Sequence, residues 1–272
     1  MPAEPNTEQS RPVTLFSTLQ LTEDTPDHFV APLPLGEGRI FGGQVAAQSL
    51  KAACMTVEAG RLPHSLHLYF IRRGRGGVDL SFLVERSRDG RTFSARHVTA
   101  LQEGKPILEM MVSFQTPEEA PDKEFLSPPA VPDPEGLEPL RLDWLGGSAF
   151  DLRPTVPQPR GLPPWHIHPF WIRVRADMDR DPTTDACVLV YLSDIGFMGV
   201  ASIPEVKLNP MGAGSLDHAV WFHRPYDPTE WLLYTADPIS NSSARGFATA
   251  SLFDRQGRLV ASLAQEALLR PE

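Results

Sequence analysis

Apolar and polar positions along this 272-residue chain recur at two different periods, and the two periods follow each other in the same order twice. After Gly42 and Gly43, the residues Val45, Ala46, Ser49, Leu50, Ala53 and Val57 fall at helical spacing. Small side chains dominate that stretch, so the predicted helix lies close against a curved sheet instead of riding on the surface. The runs SLHLYFIRR, VDLSFLVERS, TFSARHVTALQ and PILEMMVSFQ come next and read as strands. Turns such as Asp89-Gly90 and Glu103-Gly104 separate them. One helix followed by a meander is the predicted unit.

The second half repeats the order. FWIRVRAD and CVLVYLS lead, a short helix is predicted around FMGVAS, and SLDHAVWFHR, WLLYTADP, SSARGFATASLF and RLVASLAQEALL follow as strands. Ser65-Leu66 matches Ser215-Leu216 at an offset of 150, His67 and Arg73 match His218 and Arg224 at 151, and Ser94-Ala95-Arg96 matches Ser243-Ala244-Arg245 at 149. Internal duplication explains this economically. Between the halves, 13 of the 28 prolines fall from Pro117 to Pro169, which excludes a mostly helical or central-strand segment. The expected organisation is a flexible tail over 1–14, an N-terminal domain over 15–116, a proline-rich linker over 117–168 and a C-terminal domain over 169–272. The class is α+β, each repeat a helix wrapped by an antiparallel sheet, although a generic α+β pair of domains satisfies the same element order.

Composition removes several functions. A hydrophobic fraction of 41% with 22% charged residues is that of a chain able to bury a core. The net charge of -9 argues against nucleic acid as a partner. Arginine groups at Arg72, Arg73, Arg75 and at Arg86, Arg88, Arg91 suit either the phosphates of a small anionic ligand or plain solvated strand ends. Two cysteines far apart in sequence, Cys54 and Cys187, and a polar first dozen residues lead us to expect a cytosolic protein without membrane insertion. His64 with His67 and His166 with His168 lack a third ligand cluster, so no metal is predicted. A GxSxG nucleophile elbow is absent, and Asp217 and His218, as strand neighbours of Ser215, do not form a serine-hydrolase triad by adjacency.

The blocks RIFGGQVAAQSL, LPHSLHLYFIRRG, FSARHVTALQEGKPI, LSDIGF, LDHAVWFHRP, EWLLY and SSARGF resemble the acyl-CoA thioesterase II family of TesB type. They run from about Leu15 to Phe114 and from about Pro169 to Arg270, and DHAVWFHRP combined with IFGGQ is a specific signal. The resemblance implies a double hot-dog fold and hydrolysis of fatty acyl-CoA to free acid and CoA, with no metal or organic cofactor. It also implies a catalytic set carried over by motif: Asp194 of YLSD, Ser215 just before LDHAVW, and Gln265 of SLAQE. Ser215 stands where many bacterial members carry Thr, and the hydroxyl is kept. In this scheme Asp194 takes a proton from the attacking water, and Ser215 and Gln265 hold that water. Direct attack by Asp194, through an anhydride intermediate, is the alternative that the sequence leaves open. Gly42, Gly43 and Gln44 are assigned to substrate contact, the glycines permitting close approach of CoA or simply a tight turn.

Subtracting 150 from the three catalytic positions gives Gln44, Ser65 and Gln115, an expected second, uncharged and inactive site. Two other functions compete. A hot-dog enoyl-CoA hydratase would need an Asp with a His five residues later, but position 199 is Gly, and Ser49 stands five after Gln44. A non-catalytic acyl-CoA binding protein would not need all three polar positions of the second half. The fused pair already meets the pairing requirement of the fold, so a homo-oligomer is allowed but not required.

Overall fold

The computed structural model describes residues 15–32, 38–142, 149–157, 166–175 and 180–272. The expected tail over 1–14 lies outside them. A short helix α1 (Leu15–Thr18) and the hairpin β1 (Thr22–Thr25) and β2 (His28–Val30) precede the first long helix, α2 (Gly42–Cys54). Four strands follow as predicted: β3 (Leu62–Phe70), β4 (Ser81–Asp89), β5 (Phe93–Gln102) and β6 (Lys105–Gln115). Their burial alternates, because a pleated strand sends successive side chains to opposite faces, and the inward rows of Leu66, Leu68, Val98, Ala100, Met110 and Val112 pack on α2.

The segment predicted as a linker holds an edge strand, β7 (Phe150–Pro154), paired with β8 (Phe170–Val174). A proline at the end of an outermost strand removes no ladder bond, which is how a proline-rich segment can still contribute to a sheet. Two helices come next, α3 (Pro182–Ser193) and α4 (Phe197–Ala201), then β9 (Leu208–Ser215), β10 (Asp217–Phe222), β11 (Leu232–Ser242), β12 (Arg245–Asp254) and β13 (Leu259–Pro271). All pair into one antiparallel sheet in the order β1-β2-β4-β5-β6-β3-β10-β13-β12-β11-β8-β7, with β9 beside β13. The halves meet where β3 and β10 pair, Ala219 opposite His67 and Trp221 opposite Ser65. The expected double hot-dog is therefore the arrangement observed: α2 and α3 pack on each other, wrapped by a sheet that continues from one repeat into the next.

One reading of the second half is corrected. Its principal helix begins at Pro182 and contains CVLVYLS; FMGVAS supplies only the short α4. CVLVYLS shows no helical stripe because α3 is buried on every side, between α2 and the sheet, and a helix covered all round is apolar all round. The run Pro182–Ala201 is long and apolar enough to cross a membrane by composition, but 78% of its apolar window is buried inside the molecule.

The offset arithmetic is corrected as well. His67 points outward while His218 is 1% exposed, and Arg96 is buried while its match Arg245 is exposed. A one-residue slip in register sends a strand's side chains to the other face, so letter matches at 149 to 151 do not align equivalent positions. The helices are related by a different offset, since Asp194 caps the C-terminus of α3 and Met55 caps that of α2.

Candidate active site

Asp181 starts α3 as its N-cap, accepting from the N–H groups of Thr183 and Thr184, with Pro182 in the first turn. The helix stops at Asp194, and Gly196, at φ 80°, turns the chain into α4. Asp194 thus projects from a corner between two helices. The corner is pinned on both sides, because the Tyr234 hydroxyl donates to the Ser193 carbonyl and the His168 ring meets the Ile195 carbonyl at 3.2 Å.

Against this corner lies the N-terminus of α2. The Gly43 N–H donates to the Asp194 carboxylate. The approach is close: a Cβ on Gly42 would stand 2.8 Å from Asp194 Oδ2, and one on Gly43 would stand 2.6 Å from the Tyr191 carbonyl. At Gly43 the obstacle is a backbone carbonyl across the repeat boundary, whereas at Gly42 the crowding atoms are the side chains of Asp194 and Phe70.

Asp194 and Ser215 are brought together at a cavity of about 660 Å³, and Gly42 lines it too. Ser215 Oγ lies 3.5 Å from Asp194 Oδ1, and Gln265 Nε2 donates to Ser215 Oγ at 2.7 Å. Gln265 also donates toward Asp194. It is 2% exposed and stands behind Ser215, outside the cavity lining. Burial pushes the Asp194 carboxyl up to about 7, against the opposing pull of the Gly43, Gln265 and Ser215 donors.

A fourth residue joins the set. His218 is fully buried, with Nε2 2.7 Å from Ser193 Oγ and its ring close enough to Gln265 to feel that amide. Burial holds the ring down to about 4, so it is neutral at physiological pH. The Ser193 hydroxyl, which also donates to the Val190 carbonyl, fixes the ring through Nε2, while His218 Nδ1 and Gln265 Oε1 are both buried without a hydrogen-bond partner among the described residues. Sequence reasoning set His218 aside because an odd spacing along a strand places it opposite Ser215. The strand is broken at Leu216, between β9 and β10, so both side chains reach Gln265. His218→Ala is expected to lower kcat about tenfold with KM within about threefold, as loss of an orienting hydrogen bond does. A substituted chain that is folded by circular dichroism and has wild-type kcat would remove His218 from the network.

The remaining assignments divide. Gly42 lines the cavity and Gly43 supports Asp194, but Gln44 lies outside the cavity lining, in the first turn of α2. Gln44, Ser65 and Gln115 form no hydrogen-bonded set among the described residues. Gln44 starts α2 whereas Asp194 ends α3, so the subtraction compared opposite ends of two helices.

Part of the remaining cavity wall is apolar, with Val45, Phe70, Ile107, Met198 and Leu268 in it. A half-buried carboxylate beside an oriented hydroxyl, at a partly apolar cavity in a double hot-dog, defines the class: a hot-dog enzyme equipped to activate water. A family model described as the acyl-CoA thioesterase N-terminal domain matches residues 31–115, and one described as the C-terminal domain matches 117–269. Human acyl-coenzyme A thioesterase 8 is 33% identical over 85% of this chain and 81% of its own length. The crystal structure of an acyl-CoA thioesterase II, TesB2, from Mycobacterium marinum superposes with a TM-score of 0.78 at 32% identity, covering 95% of this chain and 97% of that one. A hot dog fold protein from Alicyclobacillus acidocaldarius, 18% identical, superposes at 0.73 over 95% and 98%, a likeness of fold alone. The chain belongs to the acyl-CoA thioesterase II family.

Proposed function

We propose that this protein hydrolyses fatty acyl-CoA to free fatty acid and CoA, with Asp194 as general base. The observation that carries the reading is the Asp194 carboxyl, facing the cavity with its pKa raised to about 7 and a hydroxyl oriented beside it. A base is most effective when its pKa lies near the working pH, since it is then both ionised and basic enough to take a proton. Water held between Asp194 and Ser215 loses a proton to Asp194 as it attacks the thioester carbonyl. Gln265 and His218 act through Ser215 and Asp194.

The developing oxyanion needs a donor. In the first turn of α2, the Gln44 and Val45 N–H groups return to the Phe41 carbonyl and that of Gly43 serves Asp194. The Gly42 N–H has no partner among the described residues and Gly42 lines the cavity. It lies at the positive end of the α2 dipole, and we assign it to the oxyanion. Collapse of the tetrahedral intermediate expels the CoA thiolate, which takes up a proton to leave as the thiol.

Release of free thiol from palmitoyl-CoA by the purified chain tests this. The value of kcat/KM should climb about tenfold per pH unit below about 7 and level off above it, because only ionised Asp194 accepts the proton. Absence of thiol release, or a rate flat across that range, overturns the reading.

A further inference from the structure

The cavity is asymmetric in charge. Its lining includes one carboxylate, Asp194, and three guanidinium groups, those of Arg39, Arg72 and Arg73. Arginines elsewhere in the chain are commonly neutralised, as Arg75 is by Glu103 and Arg86 by Asp27. None of the three at the cavity makes an ion pair among the described residues. Arg72 donates to the Pro106 carbonyl, and Arg73 to the carbonyls of Met211 and Ala213 on β9. The Arg39 side chain has no hydrogen-bond partner among the described residues, and its Nη2 lies 3.4 Å from where a Cβ of Gly214 would be. Its pKa is lowered by burial and by repulsion from Arg73.

Two like charges held together without a counter-ion destabilise the free protein, and a bound anion relieves that repulsion. We propose that Arg39, supported by Arg72 and Arg73, forms an anion-binding rim that takes a phosphate of the CoA moiety. The inference rests on the thioesterase reading and extends it from the reacting acyl group to the nucleotide end of the substrate. A chain of net charge -9 repels a polyanionic substrate at long range, so a local cationic rim is where its capture must occur. The arginine grouping read from sequence included Arg75, which is neutralised, and missed Arg39, which lies more than 30 residues earlier in the chain.

The test compares one acyl group carried by CoA and by N-acetylcysteamine, which has no phosphate, in the wild type and in Arg39→Glu. Arg73 is left in place because it holds β9. The ratio of kcat/KM for the two substrates should fall at least about tenfold in Arg39→Glu, mainly through KM for the CoA ester, with Arg39→Lys in between. The wild-type kcat/KM for the CoA ester should also decline with added salt more steeply than that for the truncated ester. An equal loss on both substrates, or no loss on either, overturns the proposal. Titration calorimetry of CoA and dephospho-CoA into the wild type and Arg39→Glu separates the two readings: a wild type that hydrolyses neither ester but binds CoA through Arg39 keeps the rim and loses the thioesterase. Equal CoA binding by both proteins removes the rim whatever the activity.

Discussion

Asp194→Asn is expected to lower kcat by about 10²- to 10⁴-fold, the range for removal of a general base, while KM stays within a few-fold. The amide keeps the size and the Gly43 contact but cannot accept the water's proton. The same substitution should raise stability at alkaline pH, and the sign follows from the shift. The folded-state pKa of about 7 exceeds the ordinary aspartate value of 3.8, so the contribution of Asp194 is fully present below the lower value and lost as pH rises through the higher one. Above about pH 7 the wild type therefore carries a buried charge that the Asn variant lacks. At about 1.4 kcal/mol per unit the cost is a few kcal/mol at most, reduced because the half-buried carboxyl also meets solvent in the cavity. Activity and thermal denaturation, measured at about pH 5 and pH 9, check both halves. A variant with undiminished turnover would sink the mechanism, and one no more stable than wild type at high pH would mean that the carboxylate is better solvated than its surroundings indicate.

Gly43→Ala is expected to reverse what helix propensity alone suggests. Alanine favours a helix by about 1 kcal/mol over glycine. Here its methyl group would stand 2.6 Å from the Tyr191 carbonyl on α3 and 2.6 Å from the Phe41 ring. The ring can turn aside, but the carbonyl belongs to a buried helix. The start of α2 has to move off α3, lengthening the Gly43 to Asp194 hydrogen bond and shifting the Gly42 N–H beside it. We expect a loss of about 1–3 kcal/mol in stability from overpacking and of about 10²-fold in kcat from displacement at the reacting centre. Gly42→Ala differs in kind: its methyl group meets the side chains of Asp194 and Phe70, so the effect falls on the carboxylate more than on the fold. Wild-type kcat and melting temperature in Gly43→Ala would show that the helix contact is looser than the glycine implies.

The strands of the first repeat were legible because one of their faces is solvated, which imposes alternation on β5 and β6. The α3 helix was not, because burial on all sides removed the polar stripe that marks a helix. Resemblance of short blocks brought out Asp194, Ser215 and Gln265. It assigned no role to His218, His168 and Tyr234, which lock the corner through hydrogen bonds between residues 25 to 41 positions apart.

The sequence by itself determined the duplicated helix-and-meander plan and the family, and it named the residues proposed to carry the chemistry, since these depend on local periodicity and on motif letters. Only the tertiary structure decided how the repeats correspond. Strand register and helix offset differ, so Gln44, Ser65 and Gln115 are not a second copy of the site. Only the packing of α2 on α3 showed that the site belongs to both repeats, the carboxylate coming from the end of one helix and its N–H donor from the start of the other. Raising the Asp194 pKa requires burial, and burial is a property of neighbours that the chain brings together only by folding.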